Sequence, residues 1–423
     1  MMKPNRRRNS DDGPAVLVVG GGFAGMSALP VLARSSARVT LLDRNVYSTF
    51  QPLLYQVATA GLTSADVAYP LWSATGRRHA TFRKAELVGL DLSRRVAILD
   101  TGEELGYDYL IIATGVSAAF FGVSGAAENS LSLYTRRDAI ALRNQLMDAL
   151  EKRNEGLTDP ELDVTIVGGG ATGVELAGTL AELRNVALPA VFPEVDRSKF
   201  RVRLIEMGPV LLAPYHDKLR RYTRQQLIDR GVEVLLNTAI KEVHPGSVVL
   251  ADGSEHRSDI TVWAAGVHGP DAGWTSGLPH GKGGRIQVGA DLQVVGQERV
   301  FATGDVAICD SDPVAQLAQP AIQEGRHAAE QVVRRIAGQP TSPFRYHDKG
   351  TMATIGRRSA VVELRGGVQL RGTIAWFAWL GLHLIYLLGN RNRVVTLVNL
   401  AWRYLSWSRG GGVIVGDDVV GKD

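Results

Sequence analysis

Apolar and polar positions along the chain follow an order typical of α/β proteins, in which a short apolar run leads through a glycine turn into a helical pattern. The apolar run 16–19 predicts a buried strand, and residues 23–34 predict the helix packed behind it. The next predicted strand, Arg38–Asp43, ends in a carboxylate. Segments 164–178 and 201–206 repeat this order of strand, glycine turn, helix and acid-ending strand. The pattern therefore predicts two α/β units of similar construction.

The first glycine turn, residues 20–25, has the spacing G-x-G-x-x-G of a dinucleotide-binding site. Its first glycine permits a tight turn, its second lets a pyrophosphate approach the backbone, and its third lets helix and strand pack closely. The helix N-terminus offers N–H groups and a partial positive charge to phosphates. Asp43 follows the turn by 18 residues, where an acid can bind a ribose hydroxyl. The residues predicted to bind this dinucleotide are Gly20, Gly22, Phe23, Ala24, Gly25, Asp43 and Arg44.

The second glycine turn, residues 168–173, repeats the first 148 residues later. Its glycines are Gly168, Gly170 and Gly173, and the strand that follows ends in Glu206. An acid at this place accepts a hydrogen bond from a 2′-hydroxyl and repels a 2′-phosphate, so NADH is favoured over NADPH. Two complete units of this kind predict binding of two dinucleotides.

Small residues follow three other apolar strands, where backbone can approach a ligand closely. Thr114 and Gly115 end one such strand, and Ala265 and Gly266 end another. The third strand, in the segment VFATGDVA (300–307), leads to Gly304 and Asp305, and it is the best candidate for a return of the chain to the first fold. Asp305 could bind a ribityl hydroxyl of a flavin or could cap the following helix.

Two further segments allow either a functional or a structural interpretation. Residues 50–62, FQPLLYQVATAGL, could line a flavin ring or could form an ordinary helix with Leu53, Leu54 and Val57 in the core. Gln319 and Gln323 are four residues apart, so they share a helix face. Their amides could bind ring carbonyls, or this face could be solvated.

The C-terminal part has a different composition. Residues 374–388 contain no Asp, Glu, Lys or Arg, but this run is shorter than the about 20 residues that span a bilayer. Four of the seven tryptophans lie at positions 376, 379, 402 and 407, among arginines and without a carboxylate. Tryptophan prefers the headgroup level, and arginine attracts anionic lipid. The pattern predicts a membrane-facing amphipathic region; a dimer interface and a buried helical hairpin are the alternatives.

Composition excludes several functions. The formal charge of +4 over 423 residues gives little support for nucleic-acid binding. Cys309 is the only cysteine, which excludes an internal disulfide and a redox pair of cysteines. The histidines show no metal-binding spacing. The basic segment 1–14 predicts a disordered arm and not a signal peptide, because Asp11 and Asp12 occupy the place of the apolar core.

Seven motifs together resemble the type II NADH:quinone oxidoreductases, single-chain respiratory flavoenzymes. In order they are VLVVGGGFAG, FQPLLYQVATAGL, YDYLIIATG, GGGATGVELAG, VWAAGV, FATGDVA and AQPAIQEG. The resemblance covers nearly the whole chain, and the second and seventh motifs are the most specific. One departure is that family members often carry His just before Phe-Gln-Pro, where this chain has Tyr47, Ser48 and Thr49.

The resemblance implies an α/β fold class with two Rossmann-like dinucleotide-binding domains and a C-terminal amphipathic helical region that anchors the protein to a membrane. The FAD-binding domain would comprise residues 14–136 and 269–336, with an NADH-binding domain, residues 137–268, inserted between them. A basic tail, residues 1–13, would precede them, and the membrane-associated region would be residues 337–423.

The resemblance also implies non-covalent FAD, NADH as hydride donor and a membrane quinone as acceptor, without proton pumping. Glu175 would take part in quinone or proton handling, and Gln319 and Gln323 match the quinone-site motif. The enzyme would lie peripherally on the cytoplasmic face of the cell membrane, against anionic lipid, as a homodimer. It would need no metal and no nucleic acid.

Other flavoenzyme classes fit less well. Disulfide reductases and sulfide:quinone reductases share the two nucleotide folds but need catalytic cysteines, and Cys309 alone cannot serve. A reductase of a soluble carrier such as ferredoxin remains open, as does a membrane-bound NADH sensor without turnover.

Overall fold

The computed structural model describes residues 13–406, with no side-chain placement for 402–406, so the predicted basic arm, Trp402 and Trp407 lie outside what is described. The chain divides into two compact units. The first unit comprises residues 13–48, 69–117 and 267–348, and the second comprises residues 49–68, 118–266 and 349–406. The predicted domain boundaries concern nucleotide binding and stay a prediction.

The first unit is built on a five-stranded parallel sheet. Across the sheet the strands are Val300–Ala302, Tyr109–Ile112, Ala15–Val19, Arg38–Asp43 and Thr81–Lys84. The four apolar residues at the end of the central strand are at most 4% exposed, as expected where a parallel sheet is covered on both faces. Strand Val300–Ala302 pairs with Tyr109–Ile112, so the predicted return of the chain to the first fold is confirmed.

Two of the three α-helices of this unit pack against each other near the start of the first one. The α-helices are Phe23–Leu32, Leu71–Gly76 and Ala318–Ile336. A Cβ at Gly325 would lie 2.1 Å from the carbonyl oxygen of Ala24, so the first and last of these helices pack backbone to backbone. The remaining strands of the unit are Leu87–Asp91, Val96–Leu99 and Glu104–Gly106, which are antiparallel, the parallel pair Ile286–Gln287 and Ala307–Ile308, and Val267–His268.

The second unit has its own five-stranded parallel sheet. The strands across it are Leu131–Ser132, Ile260–Trp263, Leu162–Val167, Phe200–Ile205 and Val232–Leu235. Two antiparallel three-stranded sheets accompany it, Ile240–His244 with Ser247–Leu250 and Glu255–Arg257, and Thr351–Gly356 with Ser359–Leu364 and Val368–Arg371. The α-helices are Leu54–Ala58, Ala126–Asn129, Arg136–Asn154, Ala171–Glu182, Leu188–Val191, Asp217–Asp229, Gly372–Tyr386 and Asn390–Ser406. Short strands Tyr47–Thr49, Ala68–Pro70 and Ser117–Ala118 contain points at which the chain passes from one unit to the other.

The FQPLLYQVATAGL segment lies in a core. Leu53, Leu54 and Val57 are all at most 2% exposed, so the structural interpretation of these three residues is confirmed. Helix Leu54–Ala58 packs against helices Arg136–Asn154 and Ala171–Glu182 of the same unit.

The C-terminal helix pair, Gly372–Tyr386 and Asn390–Ser406, follows the last antiparallel sheet. The first helix of the pair packs on strand Ser359–Leu364 and buries Ala375, Trp376 and Trp379. Within residues 13–406, no helix is both long enough and apolar enough to cross a bilayer. The α/β class with two parallel sheets, as predicted from the sequence, is confirmed.

Candidate functional site

In the first glycine turn, two of the three glycines of the G-x-G-x-x-G spacing lie against backbone and the third lies open. Gly20 has a φ of +104°, and a Cβ there would lie 2.2 Å from the carbonyl oxygen of Ala113. A Cβ at Gly25 would lie 1.9 Å from the carbonyl oxygen of Gly20, whereas at Gly22 it would meet no described atom within 4 Å. The turn is therefore closed on two sides and open at Gly22, just before helix Phe23–Leu32 begins. Such an opening suits a phosphate group.

Asp43 fastens this turn to the neighbouring strand. Its carboxylate accepts the N–H of Gly21 at 2.6 Å and the N–H of Asn45 at 2.7 Å. Burial raises the pKa of Asp43, and these two hydrogen bonds oppose part of the rise. Arg44, also predicted to bind the dinucleotide, forms an exposed ion pair with Glu86 at 3.4 Å.

The other candidate residues of the first unit gather at the carboxyl ends of the same strands. Thr114 and Gly115 follow strand Tyr109–Ile112, and Gly304 and Asp305 follow strand Val300–Ala302. In an open parallel sheet, ligands bind at the carboxyl ends of the strands. The structure therefore brings these four residues to the edge that carries the first glycine turn.

The alternative that Asp305 caps the following helix is wrong. That helix begins at Ala318, and its N-cap is Leu317. The carbonyl oxygen of Asp305 accepts hydrogen bonds from Nε of Arg285 at 3.0 Å and from Nε2 of Gln316 at 3.3 Å. The backbone of this residue is thus held in place by two side chains.

Gln319 and Gln323 differ in their hydrogen bonding. The amide of Gln323 donates to the carbonyl oxygen of His347 at 3.0 Å and accepts the N–H of the same residue at 2.9 Å. The Oε1 atom of Gln319 is buried and has no hydrogen-bond partner among the described residues. Gln323 therefore anchors the backbone near His347, while Gln319 carries an acceptor that a ligand N–H could satisfy.

The second glycine turn repeats the geometry of the first. Gly168 has a φ of +113°, and a Cβ there would lie 2.6 Å from the carbonyl oxygen of Ala264. A Cβ at Gly173 would lie 1.9 Å from the carbonyl oxygen of Gly168, and at Gly170 it would meet no described atom within 4 Å. The second unit therefore offers the same opening in front of helix Ala171–Glu182.

Glu206 fastens the second turn as Asp43 fastens the first. Its carboxylate accepts the N–H of Gly169 at 2.5 Å and the N–H of Gly208 at 2.6 Å. Ala265 and Gly266 lie beyond strand Ile260–Trp263, at the same carboxyl edge of the sheet. Sequence reasoning assigned both acids to ribose binding and missed their bonds to the glycine turns.

The ring of Phe121 lies over Gly266. A Cβ at Gly266 would come within 2.8 Å of this ring, so a side chain there would have to push the ring aside. Phe121 is 70% exposed and has a φ of +52°, an uncommon backbone conformation for an aromatic residue. An exposed aromatic ring therefore stands at the carboxyl edge of the second sheet.

Glu175 lies in a buried site on helix Ala171–Glu182. Its carboxyl accepts the N–H of Thr354 at 3.2 Å, and burial raises its pKa to about 8. The indole N–H of Trp379 also faces this carboxyl and lowers the pKa, although within the described residues it is not aligned for a direct hydrogen bond. At neutral pH the carboxyl group is therefore mostly protonated.

Aromatic side chains surround this site. The ring of His383 stacks on Trp379 with centroids 4.2 Å apart, and its Nδ1 donates to the carbonyl oxygen of Trp379 at 2.7 Å. Burial lowers the pKa of His383 to about 4, so its ring is neutral at physiological pH. Phe50 meets His383 edge-on at 6.1 Å, and Tyr55 lies 6.3 Å from Trp379. The i, i+4 spacing of Trp379 and His383 places them on one helix face, and Trp379 is buried, so the prediction that this tryptophan lies at a membrane surface is wrong.

Comparison with known proteins defines the class of this chain. The family described as pyridine nucleotide-disulphide oxidoreductase matches residues 14–325. The type II NADH:quinone oxidoreductase Ndh of Mycobacterium tuberculosis is 35% identical over 93% of this chain and 89% of its own length. The type II NADH:quinone oxidoreductase of Haemophilus influenzae is 27% identical over 87% of this chain and 92% of its own length.

A solved structure agrees with this at the level of the fold. NDH2 of Plasmodium falciparum, in complex with NADH, superposes with a TM-score of 0.85 at 18% identity and covers 95% of this chain and 100% of its own. The chain is thus a pyridine nucleotide-disulphide oxidoreductase. Within that class it belongs to the type II NADH:quinone oxidoreductases, and the family predicted from the motifs is confirmed.

Proposed function

We propose that this enzyme passes a hydride from NADH, held by the second unit, to FAD, held by the first, and two electrons onward to a membrane quinone. The observation that carries the proposal is the pair of matching turns. In each turn of G-x-G-x-x-G spacing, the first and last glycines lie against backbone and the second lies open. An acid accepts the N–H of the residue after the first glycine, Asp43 that of Gly21 and Glu206 that of Gly169. Two such turns give one chain two sites for dinucleotides.

The residues of the first unit fit FAD. The opening at Gly22 suits a pyrophosphate, because a side chain there would occupy the space that phosphate oxygens need. When bound, FAD supplies hydride acceptance and two-electron release, which protein side chains cannot provide. Binding would be non-covalent and would use Gly20, Gly22, Phe23, Ala24, Gly25, Asp43, Arg44, Thr114, Gly115, Gly304 and Asp305.

The residues of the second unit fit NADH. Gly170 leaves space in front of the helix, and Glu206 sets a negative charge where a 2′-phosphate would otherwise lie. The protein's contribution to hydride transfer is to hold and orient, since positioning alone can remove a large part of a reaction barrier. The binding residues would be Gly168, Gly170, Gly173, Glu206, Ala265 and Gly266.

Glu175 is the proposed source of a proton. Reduction of a quinone to a quinol takes two electrons and two protons. A carboxyl group that stays protonated to a pH of about 8 can donate a proton at neutral pH, and general acids work best with pKa values near the working pH. Gln319, whose buried oxygen has no hydrogen-bond partner among the described residues, is a proposed quinone-binding residue. Gln323, predicted together with it, would act through the backbone of His347 that its amide holds.

The C-terminal helix pair is the proposed membrane-binding region. Ile374, Phe377 and Ile385 are between 62% and 71% exposed on the helix whose tryptophans are buried. An apolar helix face of this kind, flanked by arginines, suits a peripheral position on anionic lipid at the cytoplasmic face of the membrane. A second copy of the chain is the alternative partner for this helix face. The proposed homodimer and the proposed absence of proton pumping follow from the family resemblance.

Anaerobic titration of the purified protein tests the proposal. NADH should bleach the yellow absorbance of bound FAD, and a quinone should restore it. Acid precipitation should release the FAD into the supernatant, because it is not covalently bound. Bleaching by NADH without reoxidation by either menaquinone or ubiquinone would contradict the quinone assignment, and a protein without FAD would contradict the whole scheme.

A further inference from the structure

A buried carboxylate lies directly behind the Gly304–Asp305 turn of the first unit. Oε2 of Glu324 accepts the backbone N–H of Gly304 at 2.6 Å, and the side chain is almost completely buried. Glu324 lies on helix Ala318–Ile336, directly after Gln323 in the AQPAIQEG motif, in which the sequence predicts ligand contacts only for the two glutamines. Nothing in the mechanism so far uses this group.

The turn is fixed from several directions at once. Gly304 has a φ of +76°, and a Cβ there would lie 3.2 Å from Cβ of Ala24 and 3.3 Å from Cβ of Ala321. Arg285, itself buried, holds the carbonyl oxygen of Asp305 from the other side. The turn is therefore bound at two backbone groups. Glu324 accepts the N–H of Gly304, and Arg285 donates to the carbonyl oxygen of Asp305.

We propose that Glu324 is a positioning residue for flavin binding: by holding the Gly304 N–H it fixes the turn in the geometry that presents Asp305 to the ribityl chain. The proposal rests on FAD binding by the first unit. A hydrogen bond to a charged group contributes more than a neutral one, and loss of its acceptor would leave a buried N–H unsatisfied.

The electrostatic surroundings give the interaction a pH dependence. The charged groups that face Glu324 are Arg285, which favours its ionised form, and Asp305, which opposes it. From the first helix, apolar Ala24 packs against the same turn. Burial dominates and raises the pKa of Glu324 to about 7. Ionised Glu324 accepts the Gly304 N–H most strongly, so acidification through neutral pH weakens the hold on the turn.

Three variants of the full-length protein test the proposal. Glu324→Ala removes the acceptor and Glu324→Gln keeps an amide oxygen in its place. Gln331→Ala is the matched control, because Gln331 is also buried on this helix and accepts a backbone N–H, that of Ser342, at 2.7 Å. The measurements are the dissociation constant of FAD, from the fluorescence of released flavin, the affinity for NADH, and the melting temperature.

The expected result is a dissociation constant for FAD raised at least about tenfold in Glu324→Ala and by less than about threefold in Glu324→Gln. Gln331→Ala should bind FAD as the wild type does, and the affinity for NADH should be the same in all. In the wild type the FAD dissociation constant should rise as the pH falls from about 8 to about 6, and in Glu324→Gln it should stay flat.

Two outcomes would overturn the proposal. Glu324→Ala and Gln331→Ala could lower the melting temperature alike and leave FAD affinity unchanged, which would make Glu324 a purely structural group. If Glu324→Ala does not fold, an identical pH dependence in wild type and Glu324→Gln would be equally decisive against it. A wild-type protein that binds no FAD would instead defeat the proposed function itself.

Discussion

The carboxyl of Glu175 accepts the backbone N–H of Thr354 at 3.2 Å, although 179 residues separate the two in sequence. This contact joins the helix after the second glycine turn to the first strand of the last antiparallel sheet. The site is fully buried, so the charged form of the carboxyl is disfavoured.

Burial of Glu175 should make the protein's stability depend on pH. Its pKa is about 8 in the folded state and about 4.5 when unfolded, so between these values the folded state binds more protons. The free energy of unfolding should therefore fall as the pH rises through this window, by up to about 1.4 kcal/mol per pH unit at this site, and level off above it. Glu175→Gln should remove this loss, so its melting temperature should gain on the wild type between pH 5 and pH 8.

An exposed glutamate provides the control for that experiment. Glu151→Gln, on the surface of helix Arg136–Asn154, should shift the melting temperature by a similar small amount at every pH. A constant difference between Glu175→Gln and wild type across the window would show that Glu175 is ionised in the folded protein.

The glycines of the second turn should respond differently to alanine. Gly170→Ala places its methyl group in open space, so the protein should fold. The KM for NADH should rise about tenfold, because the methyl group keeps the pyrophosphate away from the backbone of the turn. Gly173→Ala places a methyl group 1.9 Å from the carbonyl oxygen of Gly168, and the helix must move. This variant should lose NADH binding together with several degrees of melting temperature. Equal KM values in Gly170→Ala and wild type would exclude phosphate contact at this glycine.

Glu206 should control the choice between NADH and NADPH. Glu206→Gln removes the charge that repels a 2′-phosphate and keeps one of the two acceptor oxygens. Because the N–H groups of Gly169 and Gly208 each use one oxygen, one of them loses its acceptor, and the melting temperature is measured alongside to check that the turn persists. The ratio of kcat/KM for NADH to that for NADPH should fall by a factor that corresponds to about 1–3 kcal/mol of transition-state binding energy. Asp43→Asn makes the same change in the first unit and should leave the ratio unaltered. A ratio that follows Asp43 rather than Glu206 would reverse the assignment of the two units.

The exposed face of the first C-terminal helix should bind membranes. Ile374→Ser combined with Ile385→Ser removes two large apolar side chains that are 71% and 65% exposed, and it keeps the ring of Phe377, which packs edge-on against buried Trp376. Because each such side chain contributes about 1.5–3 kcal/mol when buried, binding to anionic vesicles should fall at least about tenfold. Leu157→Ser, which alters a residue 67% exposed elsewhere, is the control and should bind as the wild type does. Wild-type protein that stays in the supernatant, and becomes monomeric in the double variant, would identify the face as a dimer interface.

Local geometry explains what the sequence predicts well. The roles of Gly20, Gly25, Gly168 and Gly173 depend on backbone close to them in the chain, or on the strand next to them, and glycine spacing records that requirement directly. Strand Val300–Ala302 also lies in the first sheet as predicted, because a chain with a second fold inserted into the first has to return to the first one.

Contacts between distant segments explain what the sequence does not predict. Trp379 lies 204 residues after Glu175, and no spacing rule relates the two. Gln323 shares a helix face with Gln319, but its amide is used by the backbone of His347, which periodicity cannot reveal. Glu324 stands next to Gln323 in sequence, yet its importance depends on the Gly304 turn, which only the folded chain brings to it.

The two glycine turns, so alike in geometry, limit how this enzyme can be inhibited selectively. A compound that imitates only the pyrophosphate would find the same open glycine and the same closed neighbours in both units. Selectivity for one turn has to come from groups that differ, and Glu206 is one methylene longer than Asp43. The exposed ring of Phe121 over Gly266 is a second difference, because it is an aromatic surface at the carboxyl edge of the second unit's parallel sheet. A selective inhibitor should therefore contact Glu206 or Phe121, because the glycine turns themselves do not distinguish the two units.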